Sequence, residues 1–461
     1  MFLTVVAAFG GLLFGYDTAV ISGTVKYLGI NFVDPRVLSE TAANSLLGFV
    51  VSSALIGCVL GGLIGGYLSS YLGRKRSLMV AAILFVVSAV GSAFPEIFCP
   101  PGETYTFLPN FIVYRILGGI GVGLVSMLSP MYIAEIAPAD MRGRLVSFNQ
   151  LAIITGMLLV YFVNYSIARG SAEQWITDTG WRMMFLSAGI PAVLLLILLF
   201  FVPESPRWLI MNGHEQKAVS IISRITGGVG VQDEVRSVRA SMLQGTVRVK
   251  LFTYGVGIIV IGILLSIFQQ FVGINVVMYY APEIFRNMGM ETSGALAQTI
   301  VVGIINMIAT VIAISTVDRF GRRPLMIVGS LGMSMSMLVL GSLFYFCNVG
   351  VSALVAMLFY VASFSLSWGP VCWVLLSEIF PNTIRAQAMS VAVAVQWMAN
   401  YLVSWTFPIM DKSTALNNAF HGGFAYWIYA LMGVLSALFI WKCIPETKGK
   451  SLEEIGRLFK Y

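Results

Sequence analysis

Two charged residues stand where charge is costly. Asp17 lies inside GGLLFGYDTAVISG (residues 10–23), and Arg115 lies inside FIVYRILGG (residues 111–119). Both stretches read as membrane-spanning, and such a residue at mid-bilayer costs about 2.5–3.5 kcal/mol on insertion scales. Among the 21 acids, Asp17 is the one placed deep within an apolar run, whereas Glu135, Glu283 and Glu378 lie near the ends of theirs. Arg115 is the one base so placed. A lone buried acid and a lone buried base suggest a pair. Two roles are open: a static structural bridge, or a proton switch. Desolvation favours the neutral carboxyl, and a nearby guanidinium favours the carboxylate. Arg115 stays charged throughout, so moving it toward and away from Asp17 would alternate the affinity for a proton.

Side-chain amides form a second group. Gln150, Gln269, Gln270, Asn275, Asn306 and Gln396 all fall within apolar runs, with Tyr279 and Trp373 near them in the sequence. Asn275 and Tyr279 are four apart and share one helix face. Amides in membranes often join helices. As a set, being neutral, they suit a neutral polyol better than an organic ion. Phe14 and Trp397 are placed to line the same cavity or simply to pack. Gly273 interrupts one run, and Gly369 with Pro370 interrupts another. Broken helices near mid-membrane are where transporter sites and gates form.

The elements that must position these residues are membrane spans. The chain has 461 residues, 58% hydrophobic and 11% charged, against about 25% charged in soluble domains. A soluble enzyme with a large core is excluded by repeated apolar runs of about 20 residues. The runs fall at 2–23, 44–70, 77–95, 108–135, 144–168 and 182–202, then at 251–286, 295–317, 325–346, 352–380, 386–410 and 424–444. The expected fold is all-α with twelve transmembrane helices. Residues 1–202 form one six-helix bundle, 203–250 a cytoplasmic linker with short helices, and 251–461 a second bundle with a short tail. The first run lacks a basic n-region and an A-x-A site, so it is expected to stay as a helix.

The charge of +7 is topological. Alternate loops carry Arg74, Lys75, Arg76, Arg142, Arg144, Arg207, Arg319, Arg322, Arg323 and Arg385, and the opposite loops hold few basic residues. The positive-inside rule makes the first set, and both termini, cytoplasmic. No nucleic-acid partner is needed. Five scattered cysteines and two histidines give no metal cluster or disulfide framework. No phosphate-binding GxxxxGK[ST] loop is present, so neither a cofactor nor ATP-driven transport is expected.

The two halves repeat one another. GRKRS (73–77) matches GRRPL (321–325), EIAPADMR (135–142) matches EIFPNTIR (378–385), and PESPR (203–207) matches PETKG (445–449). An even number of spans per half makes the repeats parallel, the arrangement of major facilitator superfamily transporters. The repeated charges Arg74, Glu135, Arg142, Glu204, Arg207, Asp318, Arg322, Glu378, Arg385 and Glu446 fall at cytoplasmic helix ends. They can bridge neighbouring helices and gate that face, or serve topology alone. Ser70 stands where the second half has Asp318, so the two clusters are not equivalent.

PESPRW and PETKG, GRKRS and DRFGRR, and QQFVGINVVMYY (269–280) resemble the sugar porter family of the major facilitator superfamily over nearly the whole chain. The resemblance implies a monosaccharide importer working by alternating access, with D-xylose the first candidate and D-glucose in play. It implies a proton on Asp17, since proton-coupled members resemble this chain there and facilitative members have Asn. It implies sugar contacts at Phe14, Gln150, Gln269, Gln270, Asn275, Tyr279, Asn306, Gly369, Trp373, Gln396 and Trp397. It also implies a monomer in a bacterial inner membrane. Two positions depart from the family's xylose transporters: Ala188 replaces a Glu in span 6, and Met157 replaces a Gln. The first leaves Asp17 to act alone or weakens coupling, and the second makes the pocket more apolar. A facilitator remains the alternative, and a membrane sugar sensor a more remote one.

Overall fold

Each apolar run has no water to bond its backbone, so it closes its own hydrogen bonds as a helix. The computed structural model shows this over the residues it describes: 2–97, 99–137, 142–228, 230–232, 235–236, 256–380 and 384–446. Spans 1 to 6 are Phe2–Ala19, Glu40–Leu72, Arg74–Ala93, Leu108–Ile136, Arg142–Ala168, and the joined pair Trp181–Ser187 and Gly189–Phe200. Spans 7 to 12 are the pair Val256–Phe271 and Ile274–Asn287, then Thr292–Phe320, Arg322–Tyr345, the pair Val351–Leu366 and Trp368–Ile379, Arg385–Asp411 and Phe424–Cys443. Eleven of these are long and apolar enough to cross a membrane by composition alone. Span 11 is as long, but Gln396, Asn400 and Ser404 dilute its apolar character. Two short helices, Pro206–Met211 and Glu215–Thr226, follow span 6.

Span 7 breaks where expected. Gly273 sits at φ 93°, a left-handed conformation that a glycine adopts without strain. Span 10 breaks at Ser367, not at Gly369–Pro370. Pro370 falls in the first turn of the helix that restarts at Trp368, where a missing N–H costs nothing.

Spans 1 and 5 touch backbone to backbone. A Cβ at Gly15 would lie 1.8 Å from the Ile153 carbonyl oxygen, and one at Gly156 would lie 2.0 Å from that of Leu12. Small residues permit this approach, and it fixes Phe14 and Asp17 against the helix that carries Gln150.

Three polar contacts join the two halves toward the end away from the Gly73 and Gly321 loops. Tyr161 donates to the Met278 carbonyl (3.1 Å), Trp405 Nε1 donates to the Ser45 carbonyl (3.0 Å), and Thr414 Oγ1 donates to Glu40 (2.7 Å). At the other end, Tyr67, Tyr71 and Phe320 are exposed. The three bonds thus join the two halves at the end away from the basic loops.

Candidate substrate and proton sites

Asp17 and Arg115 meet inside the first half. They are 3% and 1% exposed, and Arg115 Nη1 donates to Asp17 Oδ1 at 3.4 Å. Charge-assisted bonds usually run at 2.7–2.9 Å. Asp17 Oδ2 and Arg115 Nε have no hydrogen-bond partner. The contrast lies in the same half: Arg74 grips Glu135 through two bonds of 2.9 and 2.8 Å. A bridge serving only stability would resemble that grip. The Asp17–Arg115 contact is loose and leaves a buried carboxylate oxygen open. Phe185 supports the guanidinium, its ring centre 5.2 Å away. Ala188 is buried at the joint of span 6 and supplies no second acid, while the neighbouring Ser187 hydroxyl bonds Tyr16 (2.8 Å).

The amides gather around the break in span 7. Gln269 donates to the Trp368 carbonyl (3.2 Å), next to the break in span 10. Its own Oε1 accepts from Gln270 (3.4 Å) and from Gln396 of span 11. Asn275 Nδ2 donates to Gln270 Oε1 at 2.5 Å. Four of the expected amides are thus one cluster, drawn from both sides of one break and from span 11. Gln396 Oε1 has no partner there. Tyr279 accepts from Asn400 Nδ2 (3.3 Å), and Asn400 Oδ1 accepts from Ser404 (3.1 Å). Phe14 of the first half meets Trp397 of the second, ring centres 5.5 Å apart. Trp397 follows Gln396 of the cluster on span 11.

Four expected contacts stand apart from the cluster. Asn306 accepts from Ser365 (2.7 Å) and is 9% exposed, so it joins spans 8 and 10. Trp373 and Gly369 are partly buried on the restarted half of span 10. Gln150 is partly buried on span 5. Sequence reasoning missed Asn400, Ser404, Ser365 and the Trp368 carbonyl. Asn400 was within reach, since it lies one helical turn beyond Gln396 in the same apolar run.

The repeated charges organise the basic end of each half. Glu204 accepts from the backbone N–H groups of Arg74 (2.8 Å), Lys75 (3.0 Å) and Ser205 (2.8 Å). Glu446 accepts from those of Arg322 and Arg323, both at 3.1 Å. Each glutamate therefore caps the helix that opens its half's basic motif, where an anion meets free N–H groups and the helix dipole. Gly73 (φ 91°) and Gly321 (φ 86°) make the turn, and a Cβ at either would press into the capping carboxylate at 2.3 and 2.7 Å. Arg322 donates to Glu378 at 3.0 Å, repeating Arg74–Glu135. Both ion pairs bridge helices within one half. Arg207 is exposed in the first turn of Pro206–Met211, a helix capped by Ser205 and opened by Pro206. The side chains of Arg142, Asp318 and Arg385 lie outside the described residues.

Equivalent caps predict equivalent losses. Glu204→Ala and Glu446→Ala are each expected to destabilise the folded protein by about 1–2 kcal/mol. Thermal unfolding in detergent checks this, and a drop confined to one variant would contradict the equivalence.

Twelve helices in two repeated halves, with a polar cluster and a buried charge pair inside, define a polytopic solute carrier. Residues 3–459 match the family model described as "Sugar (and other) transporter". The D-xylose-proton symporter of Escherichia coli (strain K12) is 59% identical, with 99% of this chain and 95% of that protein aligned. The glucose facilitated diffusion protein of Zymomonas mobilis is 43% identical, with 99% and 97% aligned. The inward-open structure of the xylose transporter XylE from Escherichia coli superposes with a TM-score of 0.89 at 57% identity, covering 99% of this chain and 98% of that one. XylE bound to 6-bromo-6-deoxy-D-glucose superposes at 0.85 and 58% identity, covering 99% and 98%. The chain belongs to the sugar transporter family, within the major facilitator superfamily, and is a multi-pass membrane protein.

Proposed function

We propose that this chain is a proton-coupled monosaccharide symporter, with D-xylose its main substrate and D-glucose a competitor. The observation that carries this reading is a neutral amide cluster at broken helices alongside one loosely held buried carboxylate. Gln269, Gln270, Asn275 and Gln396 exchange their mutual bonds for sugar hydroxyls, and Tyr279, Trp373, Phe14, Gln150 and Trp397 complete the pocket. Asn306 and Gly369 shape it from span 10 and its neighbour. Asp17 takes the proton when Arg115 withdraws. The basic end faces the cytoplasm, with both termini on that side of a bacterial inner membrane. The bundles of residues 1–202 and 251–461 rock against each other as a monomer, with 203–250 linking them. Arg74–Glu135, Arg322–Glu378 and the capping glutamates hold each half rigid on the gating face, joined there by Arg142, Arg207, Asp318 and Arg385. Met157 makes the pocket slightly more apolar and leaves room for a hexose.

A second reading, facilitated diffusion, draws on the absence of an acid at Ala188 and on the Zymomonas relative. Counterflow of labelled D-xylose in proteoliposomes tests the substrate. Saturable exchange is expected, inhibited by D-glucose and not by mannitol. Absence of exchange with any monosaccharide would overturn the proposal.

A further inference from the structure

Ser88 and Ser92 on span 3 are each 1% exposed, and neither hydroxyl has a hydrogen-bond partner. Ser129 and Ser266 are likewise buried and unpartnered, while several other buried helical serines turn back onto the preceding turn, as Ser52 does to the Gly48 carbonyl (2.7 Å) and Ser77 to that of Gly73 (2.6 Å). Ser88 instead faces span 4. A Cβ added at Gly118 would lie 2.3 Å from Ser88 Oγ and 3.6 Å from Asp17 Oδ2. Glycine at this point leaves a slot shared by an unpartnered hydroxyl and an unpartnered carboxylate oxygen. A buried water needs such polar neighbours.

Span 3 runs from Arg74 at the basic end to Ala93 at the other, so Ser92 lies one turn farther from the basic loops than Ser88. Just beyond Ser92, Arg182 donates to the Ala93 carbonyl (2.9 Å) and to Glu96 (2.7 Å), and the Glu96 side chain is 40% exposed. An exposed carboxylate, two orphan hydroxyls and the open oxygen of Asp17 thus follow one another through a single half. Arg115, Cys58 and Tyr279 are charged or titratable groups near enough to interact with the charge on Asp17.

We infer that Ser88 and Ser92 relay the proton between Asp17 and the face opposite the basic loops. The inference rests on the symport reading above. Each hydroxyl accepts one hydrogen as it gives up its own, so neither changes charge, and the transferred proton ends on Asp17 Oδ2. The relay serves a chain whose span 6 offers Ala188 and no second acid. Neither hydroxyl belongs to the amide cluster, so their loss is expected to act on the proton and not on the sugar.

The test compares two rates in the same proteoliposomes: sugar-driven external alkalinisation, and D-xylose counterflow, which cycles the loaded carrier without net proton movement. In the Ser88→Ala/Ser92→Ala double variant, alkalinisation is expected to slow about tenfold while counterflow stays within about twofold of wild type. Ser88→Thr, which keeps the hydroxyl, is expected to restore the rate when Ser92 is intact. Equal slowing of both rates, or of neither, would overturn the relay. A wild-type protein that moves no protons with sugar would overturn the symport reading and the relay together. A normal wild-type signal, unchanged in the double variant, would overturn the relay alone.

Discussion

Asp17→Asn is expected to abolish sugar accumulation against a gradient while leaving sugar exchange intact. The substitution keeps the shape of the side chain and an oxygen that can accept from Arg115 Nη1, the contact seen at 3.4 Å. It removes the one group in the buried pair that can take up and release a proton. One proton moving through 100 mV supplies about 2.3 kcal/mol, and each 1.4 kcal/mol is about a tenfold ratio. Wild-type vesicles under a proton gradient should therefore reach an internal sugar excess of some tens-fold, and Asp17→Asn vesicles should stop at equality. Plateau uptake of labelled D-xylose, with counterflow as the control, measures both. Retained accumulation would move the proton to another group. Loss of exchange together with accumulation would mean that the pair is structural.

The second large effect is expected at Gln269. It donates to the Trp368 carbonyl and accepts from Gln270 and Gln396. Removing its amide leaves those buried groups unpaired and withdraws both a donor and an acceptor from any sugar bound there. The loss is about 2–3 kcal/mol, or roughly 30–100-fold in sugar affinity. Calorimetric titration of purified Gln269→Ala with D-xylose checks it. Asn306→Ala is the informative comparison, because Asn306 is bonded to Ser365 and joins two helices. Its substitution is expected to lower the unfolding temperature more than the affinity. A larger affinity loss at Asn306 than at Gln269 would place the sugar nearer span 8.

Much of this fold is legible in the sequence because hydropathy is a local signal. The spans and the isolated positions of Asp17 and Arg115 follow from runs within a few dozen residues, and the parallel repeat follows from short motifs recurring at a nearly constant offset. Ser367 was not legible as the break in span 10. Gly369 and Pro370 are the stronger local punctuation, but a proline can open a helix as readily as end one. The capping role of Glu204 and Glu446 was also hidden. PESPR and PETKG are visible as repeats, yet the amides they bind lie more than a hundred residues earlier in the chain. The amide cluster was half legible. Gln269, Gln270, Asn275 and Gln396 are conspicuous in apolar runs, whereas Asn400 and Ser365 gain meaning only from partners across helices. The looseness of the Asp17–Arg115 contact is a matter of tenths of an ångström, and no spacing along a chain encodes it.

The most direct measurement uses purified protein in liposomes under a weakly buffered medium with no imposed gradient. D-xylose is added outside and the external pH is followed. Proton symport predicts immediate external alkalinisation, as protons enter with the sugar. D-xylose entry with no change in external pH would contradict it and make this chain a facilitator.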